Sequence, residues 1–266
     1  MDILERIVEG KRREVARLRP RAAALRAAAE RAGPARPFAA ALRRQGEVAL
    51  IAEIKRRSPS AGWIRPDAGV VEVAGAYARA GAAALSVLTD GEHFGGSLED
   101  LEAARGAVGL PVLRKDFVLD AVQVWEARAA GADAVLLIVR ILEDAVLAAL
   151  HALASELGMG VLVEAHTAAE VERALAAGAE VVGVNARDLA TFRTDLAVVR
   201  EVAAHVPPDR TLVAESGIRT AEDVDRLGAV GVDAVLVGES LMRASDVEAA
   251  AAALARRPRL AEARSR

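Results

Sequence analysis

A phrase that occurs four times constrains this chain's fold more than any other feature. "ARAGAAALSVLTD" (78–90) reappears as "ARAAGADAVLLIVR" (127–140), "RALAAGAEVVGVNARD" (173–188) and "DRLGAVGVDAVLVGES" (225–240). Each copy is the end of a helix, a glycine suited to a left-handed C-cap, and a short aliphatic strand. The glycines, at 81, 131, 178 and 231, stand about fifty residues apart. That is too long for one strand and one helix, so each gap must hold a second unit. "LPVLRKDF" (110–117), "MGVLVEAH" (159–166) and "RTLVAESG" (210–217) supply it, and "VALIAEIK" (48–55) starts the series. Eight strands, each followed by a helical segment, predict an α/β fold, a closed (β/α)8 barrel of the TIM type. The alternative is an open doubly wound sheet. Its dinucleotide-binding form is disfavoured, because no GxGxxG turn follows the first strand.

Ahead of the series, residues 2–18 read as an amphipathic helix with Ile3, Leu4, Ile7, Val8, Val15 and Leu18 on one face. A second, Ala-rich helix is expected over 21–31, ended by "GPARP" (33–37). Residues 1–47 are therefore expected as a helical extension covering the active-site face of a single barrel domain, 1–266. With 53% hydrophobic residues the chain can build a large core, and with only 3% aromatics that core must be aliphatic. The net charge of -3 points to neither nucleic acid nor an anionic membrane as partner. The absence of cysteine excludes a disulfide framework, a thiolate nucleophile and a Cys-bound metal. "MDILERIVEG" carries charges where a signal peptide needs apolar residues, and "AVLLIV" (134–139) is too short to span a bilayer. A cytoplasmic protein is expected, with no membrane partner. His93 has no second histidine at ligand spacing, so no metal site is expected.

Barrel strands are buried on both faces, so polar residues within them carry information. Glu53 and Lys55 close the first strand, Lys115 the third, Glu164 the fifth, Asn185 the sixth, and Glu215 and Ser216 the seventh. All lie at the C-terminal strand ends, where barrel enzymes build their sites. Alternation puts Glu53 and Lys55 on one face and sends Arg56 the other way. Three carboxylates and two lysines directed into one cavity are costly to bury unless they pair or serve chemistry. The combination suggests proton transfer on an anionic substrate. "AESGI" (214–218) and "LVGESLM" (236–242) place Gly217 and Gly238 after strands seven and eight, where barrels commonly bind phosphate through backbone N–H groups. Ser58 in "RRSPSAG" can donate from the first loop, and Arg219 and Arg243 read as rim charges.

The ordered set "DILERIVEGKRREV", "IAEIKRRSPSAG", "SVLTDGEHFGGS", "LPVLRKDF", "GADAVLLIVRIL", "LVEAHT", "GVNARDL", "VAESGI" and "LVGESLMR" resembles the indole-3-glycerol-phosphate synthase family of tryptophan biosynthesis. The resemblance implies ring closure, decarboxylation and dehydration of 1-(2-carboxyphenylamino)-1-deoxyribulose 5-phosphate, with no cofactor. It implies Lys115 as general acid, Glu164 as second acid assisted by Glu53, and Lys55 as a further proton carrier. Asn185 and Glu215 join the catalytic set, Glu215 holding the sugar hydroxyls. Lys55 and the Asn185–Arg187 loop would face the substrate carboxylate. Phe94, Phe117 and Leu136 would form a slot for the aryl ring, and Ser58, Ser216, Gly217, Gly238 and the Glu239 backbone would cradle the phosphate. How acid and base work divides among Lys115, Lys55, Glu164 and Glu53 stays open at this level. Two positions depart from the family: Ala186 stands where a second Asn is usual, and Glu239 stands where some members have a small hydroxyl residue. The chain is expected as a monomer or weak homo-oligomer acting on a small phosphorylated molecule. Two alternatives remain, a related barrel such as phosphoribosylanthranilate isomerase or a non-catalytic barrel that binds phosphate ligands. The first commonly uses a cysteine base, which this chain lacks.

Overall fold

Eight parallel strands alternate with helices in a computed structural model that describes residues 3–187 and 194–260. Asp2 of the leader motif and Asp188 and Leu189 of the sixth-loop motif lie outside the described residues. The strands are β1 (Glu47–Ile54), β2 (Ala84–Leu88), β3 (Val112–Lys115), β4 (Ala134–Ile138), β5 (Gly160–Ala165), β6 (Val181–Asn185), β7 (Thr211–Glu215) and β8 (Ala234–Val237). Each pairs with its successor, and β8 returns to β1 from Ala49↔Ala234 to Ala52↔Val237. That pairing closes the sheet and rules out the open one. The four repeat glycines take φ from 85° to 94°, the left-handed conformation their C-cap position requires.

Strand parity sorts the core into two layers. Val48, Leu50, Ala52 and Ile54 of β1 pack outward against the helices, while Ala49 and Ile51 face the barrel axis with Leu113, Leu136, Leu162, Val213 and Leu236. Burial on both faces is why the strands read as continuous apolar runs. Three helices precede the barrel: α1 (Ile3–Leu18), α2 (Ala22–Arg31) and α3 (Phe38–Leu42). The later ones are α4 (Val70–Arg79), α5 (Gly91–Phe94), α6 (Leu98–Ala107), α7 (Ala121–Ala129), α8 (Asp144–Glu156), α9 (Ala168–Ala176), α10 (Ala197–Ala203), α11 (Ala221–Ala229), α12 (Glu239–Arg243) and α13 (Val247–Leu254). Side-chain caps start several of them: Ser97, Asp120, Thr167 and Thr220 accept from the backbone N–H groups of the first turn.

The extension expected to lie over the active-site face is divided between the two ends of the barrel. At the C-terminal end, α1 sets Lys11 between Asp90, which follows β2, and Asp116, which follows β3. α2 packs along α7. The chain then continues to the other end, because "GPARP" stops helix propagation. There the Arg36 N–H is bonded to Asp133 and the Arg43 guanidinium to Thr211, both at strand starts. Phe38 and Leu42 of α3 are buried in the inner core and plug that end. Three short elements carried no sequence signal. They are α3, a hairpin of Arg57–Ser58 with Gly62–Trp63 in the first loop, and a two-residue strand, Arg257–Pro258, antiparallel to the start of β1. Among the described residues no helix is long and apolar enough to cross a membrane.

Candidate active site

The parity that turns Ile51 inward also turns Glu53 and Lys55 inward, and their side chains meet with Lys55 Nζ 2.8 Å from Glu53 Oε1. Ser86 of β2 donates from Oγ to Glu53 Oε2 at 3.4 Å. Lys115 of β3 reaches across the axis, 3.6 Å from an oxygen of each of Glu164 (β5) and Glu215 (β7). Two glycines make room for these carboxylates. A Cβ on Gly183 would stand 2.2 Å from Glu215 Oε1, and one on Gly238 would stand 2.3 Å from Glu53 Oε1. Arg56 points outward, as alternation requires, and pairs with Asp100 at 2.6 Å.

The charges perturb one another. Burial disfavours the Lys115 ammonium, but Glu215, Glu164 and Glu53 outweigh it and hold the group well above the usual lysine range. Burial would raise the Glu53 carboxyl, yet Lys55 and Lys115 bring it below the usual range. Glu215 goes the other way, pushed up to about 8 by burial and by the neighbouring Glu164 carboxylate, with Lys115 only partly offsetting them. The site therefore sets an ammonium donor among carboxyl groups whose hold on a proton is driven in opposite directions, Glu53 down and Glu215 up. Such separation of titrating groups suits a reaction that needs both acids and bases.

These residues form the floor of a cavity of about 490 Å³. Every residue expected from the sequence to act in catalysis or to bind substrate or phosphate lines it. Asn185 and Arg187 stand on one side, Phe94, Phe117 and Leu136 form an apolar wall, and Ser58, Ser216, Gly217, Gly238 and Glu239 lie along the rim. The Phe94 and Phe117 rings are 6.0 Å apart between centroids. Ser216 and Gly217 take φ of 68° and 76°, so the turn after β7 runs through two successive residues of positive φ. A Cβ on Gly217 would lie 2.4 Å from the Thr194 methyl, so loop six packs directly on this turn. The Ser58 hydroxyl accepts from the Ala61 N–H and lies 3.4 Å from the Ser60 hydroxyl. Asn185 Oδ1 accepts from the Arg187 N–H and shapes the loop that carries the guanidinium.

The expected residues also engage partners that the sequence did not single out. Arg187 donates to Ser60 Oγ at 2.6 Å and lies 3.5 Å from Glu239. Burial would raise the Glu239 carboxyl, but Arg243, Lys55 and Arg187 bring it below its usual range. Its side chain thus serves the local cations. Arg243 was read as a rim charge and does line the cavity. Lys11, Ser86, Asp116 and His166 gave no signal, because each looks like an ordinary surface or strand-end residue until its partners are known. Among the described residues no group of three His, Cys, Asp or Glu side chains could hold a metal ion.

The family model described as indole-3-glycerol phosphate synthase matches residues 4–254. The chain is 51% identical over 250 residues to an indole-3-glycerol phosphate synthase from Albidiferax ferrireducens, covering 92% of this chain and 95% of that protein. It is 52% identical over 262 residues to one from Rhodospirillum rubrum, covering 95% and 98%. Among solved structures it resembles thiamine phosphate pyrophosphorylase from Pyrococcus furiosus, with a TM-score of 0.60 at 19% identity over 79% of this chain and 94% of the other. At that identity the likeness speaks for the barrel fold alone.

Proposed function

From a chain that belongs to the indole-3-glycerol phosphate synthase family, we infer how its barrel mouth divides the chemistry. The activity is that of a carboxy-lyase in tryptophan biosynthesis, closing a ring on 1-(2-carboxyphenylamino)-1-deoxyribulose 5-phosphate and releasing indole-3-glycerol phosphate, CO2 and water. The ring carbon that bears the carboxylate attacks the ketone. Lys115 gives the ketone oxygen its proton and stabilises the developing alkoxide. Loss of CO2 restores the aromatic ring, and Glu164 then protonates the departing hydroxyl, with Glu53 and Lys55 as the neighbouring base and proton carrier. Glu215 holds the sugar hydroxyls. Lys55 and Arg187 face the substrate carboxylate, Phe94, Phe117 and Leu136 clasp the aryl ring, and the Ser216–Gly217 and Gly238–Glu239 backbone takes the phosphate with Ser58. The observation that carries this reading is Lys115, held as an ammonium between Glu164 and Glu215 on the floor of the cavity.

The family match leaves the isomerase and the non-catalytic barrel without support. As the enzyme of a soluble small-molecule substrate, the chain is taken to work in the cytoplasm as a monomer or weak homo-oligomer, which light scattering would check. The role assignment is tested by following indole fluorescence on incubation with the aminoketose phosphate. Lys115→Ala and Glu164→Gln should each lose roughly 10²-fold or more in kcat while still binding substrate. Wild-type rates in both variants would refute the assignment.

A further inference from the structure

Each turnover has to bring a proton into the cavity. The substrate carboxylate leaves as neutral CO2, one proton goes to the ketone oxygen and one to the departing hydroxyl, and one comes back from the methylene that becomes a ring carbon. The balance is one proton taken up. Glu164, the donor to the hydroxyl in the reading above, is only 1% exposed. Substrate in the cavity would cover it from that side, so a proton has to reach it by another route.

Such a route lies behind it. His166 follows the end of β5, is 7% exposed and does not line the cavity. Its Nε2 is 3.8 Å from Glu164 Oε1 and its Nδ1 is 3.4 Å from Glu170 Oε2, and neither ring nitrogen makes a hydrogen bond. Glu170, on α9, accepts from the His166 backbone N–H at 2.6 Å and takes the Arg140 guanidinium on its other oxygen at 3.2 Å. Burial would raise the Glu170 carboxyl, but His166 and Arg140 hold it at about 2, so it is an anion at any working pH. Its side chain is 14% exposed, so the row Glu164–His166–Glu170 runs from the cavity floor to the surface. The N-terminal cap of α9 accounts for the Glu170 carboxylate and the His166 N–H, but it does not need an imidazole. A buried ring with both nitrogens unpartnered is costly unless it is used. Catalytic hydrogen bonds are often long without substrate and tighten with it.

We propose that His166 charges Glu164: Nε2–H passes to Oε1 of the Glu164 carboxylate, which in turn gives a proton to the departing hydroxyl. The Nδ1–H stays on the Glu170 carboxylate, the imidazolium becomes imidazole, hydroxide leaves as water, and the ring regains a proton from solvent before the next turnover. His166 touches no substrate and is a positioning residue acting through Glu164. The inference rests on Glu164 being the second acid. The charged groups around the ring are Glu164 on its own strand, Glu170 on α9 and Arg140 behind Glu170, with Lys115 beyond Glu164.

Single-turnover kinetics test it. In His166→Gln, kcat should fall roughly 10²-fold, the low end for acid–base groups, with KM within about twofold of wild type. In Glu170→Gln, kcat should fall less than in His166→Gln, with KM within about twofold of wild type, because the carboxylate that faces Nδ1 is gone. Added imidazole should restore rate to His166→Ala. A His166→Gln enzyme with the wild-type rate would overturn the proposal. So would losses in His166→Ala that imidazole does not repair and that fall on KM. Glu164→Gln, run alongside, separates the failures: if it is slow while His166→Gln is normal, only the relay is wrong. If Glu164→Gln is itself normal, the assignment of Glu164 fails and the relay with it.

Discussion

Glu215 is buried against another carboxylate, and its proton has a consequence for stability. Its ordinary value is 4.5, and the folded protein holds it up to about 8. Between those values the folded state binds more protons than the unfolded chain, so stability from this group falls as pH rises through the window and levels off above it. Glu215→Gln mimics the protonated form. Its Tm relative to wild type should therefore climb from about pH 5 to about pH 8 and then level off, while activity falls because the sugar contact is altered. A pH-independent difference in Tm would contradict this. Gly183→Ala asks the same site for space, since its Cβ would stand 2.2 Å from Glu215 Oε1. Overpacking should cost about 1–3 kcal/mol, read by urea unfolding, and should lower kcat by displacing the carboxylate. Alternation made the inward course of Glu53 and Lys55 legible in the sequence. The proton on Glu215 was not legible, because it depends on the distance to Glu164, which is far away in the chain.

Among the elements, α1 shows the same division. Its apolar stripe was readable, and Ile7 and Val15 are buried as the period of the helix demands. Lys11 looked like part of the wet face. Instead it is buried, with Asp90 at 2.8 Å, Asp116 at 2.9 Å and Glu14 at 2.9 Å. Asp116 also accepts from the Phe117 N–H, so this latch connects α1 to the aryl wall of the cavity. Lys11→Met leaves buried Asp90 without its lysine and Asp116 with Arg114 alone, and should cost about 3–5 kcal/mol. Hydrogen exchange should then rise in α1 while β1–β8 stay protected, and KM should rise as Phe117 loosens. Burial would raise the Asp116 carboxyl, but Arg114 and Lys11 depress it from 3.8 to about 2. Its contribution is thus present above about 3.8 and lost as pH falls through about 2, and the stability gap between Lys11→Met and wild type should narrow over that range. A gap that stays constant there would argue against the latch.

Taken whole, the molecule separates chemistry from closure. The charged residues gather at the C-terminal strand ends, and α3 plugs the other end with Phe38, only 1% exposed. Phe38→Ala should cost about 3–5 kcal/mol by cavity formation yet leave kcat and KM within about twofold when assayed well below its Tm. A large change in kcat would show that the two ends are coupled. The eight-fold alternation, the left-handed glycine caps, the inward face of each strand and the end that carries the site were all determined by the sequence alone. These are local properties: a helix stop, a strand period and a polar residue at a strand end depend only on near neighbours. The tertiary structure alone decided which charges meet. It set Lys115 between Glu164 and Glu215, Lys11 between Asp90 and Asp116, and His166 between Glu164 and Glu170, and it divided the extension between the two ends of the barrel. Closing the sheet brings residues from distant strands within a few ångströms in a place water does not reach. There the partner of a charge is set by geometry across the barrel, which the order of residues along the chain does not display.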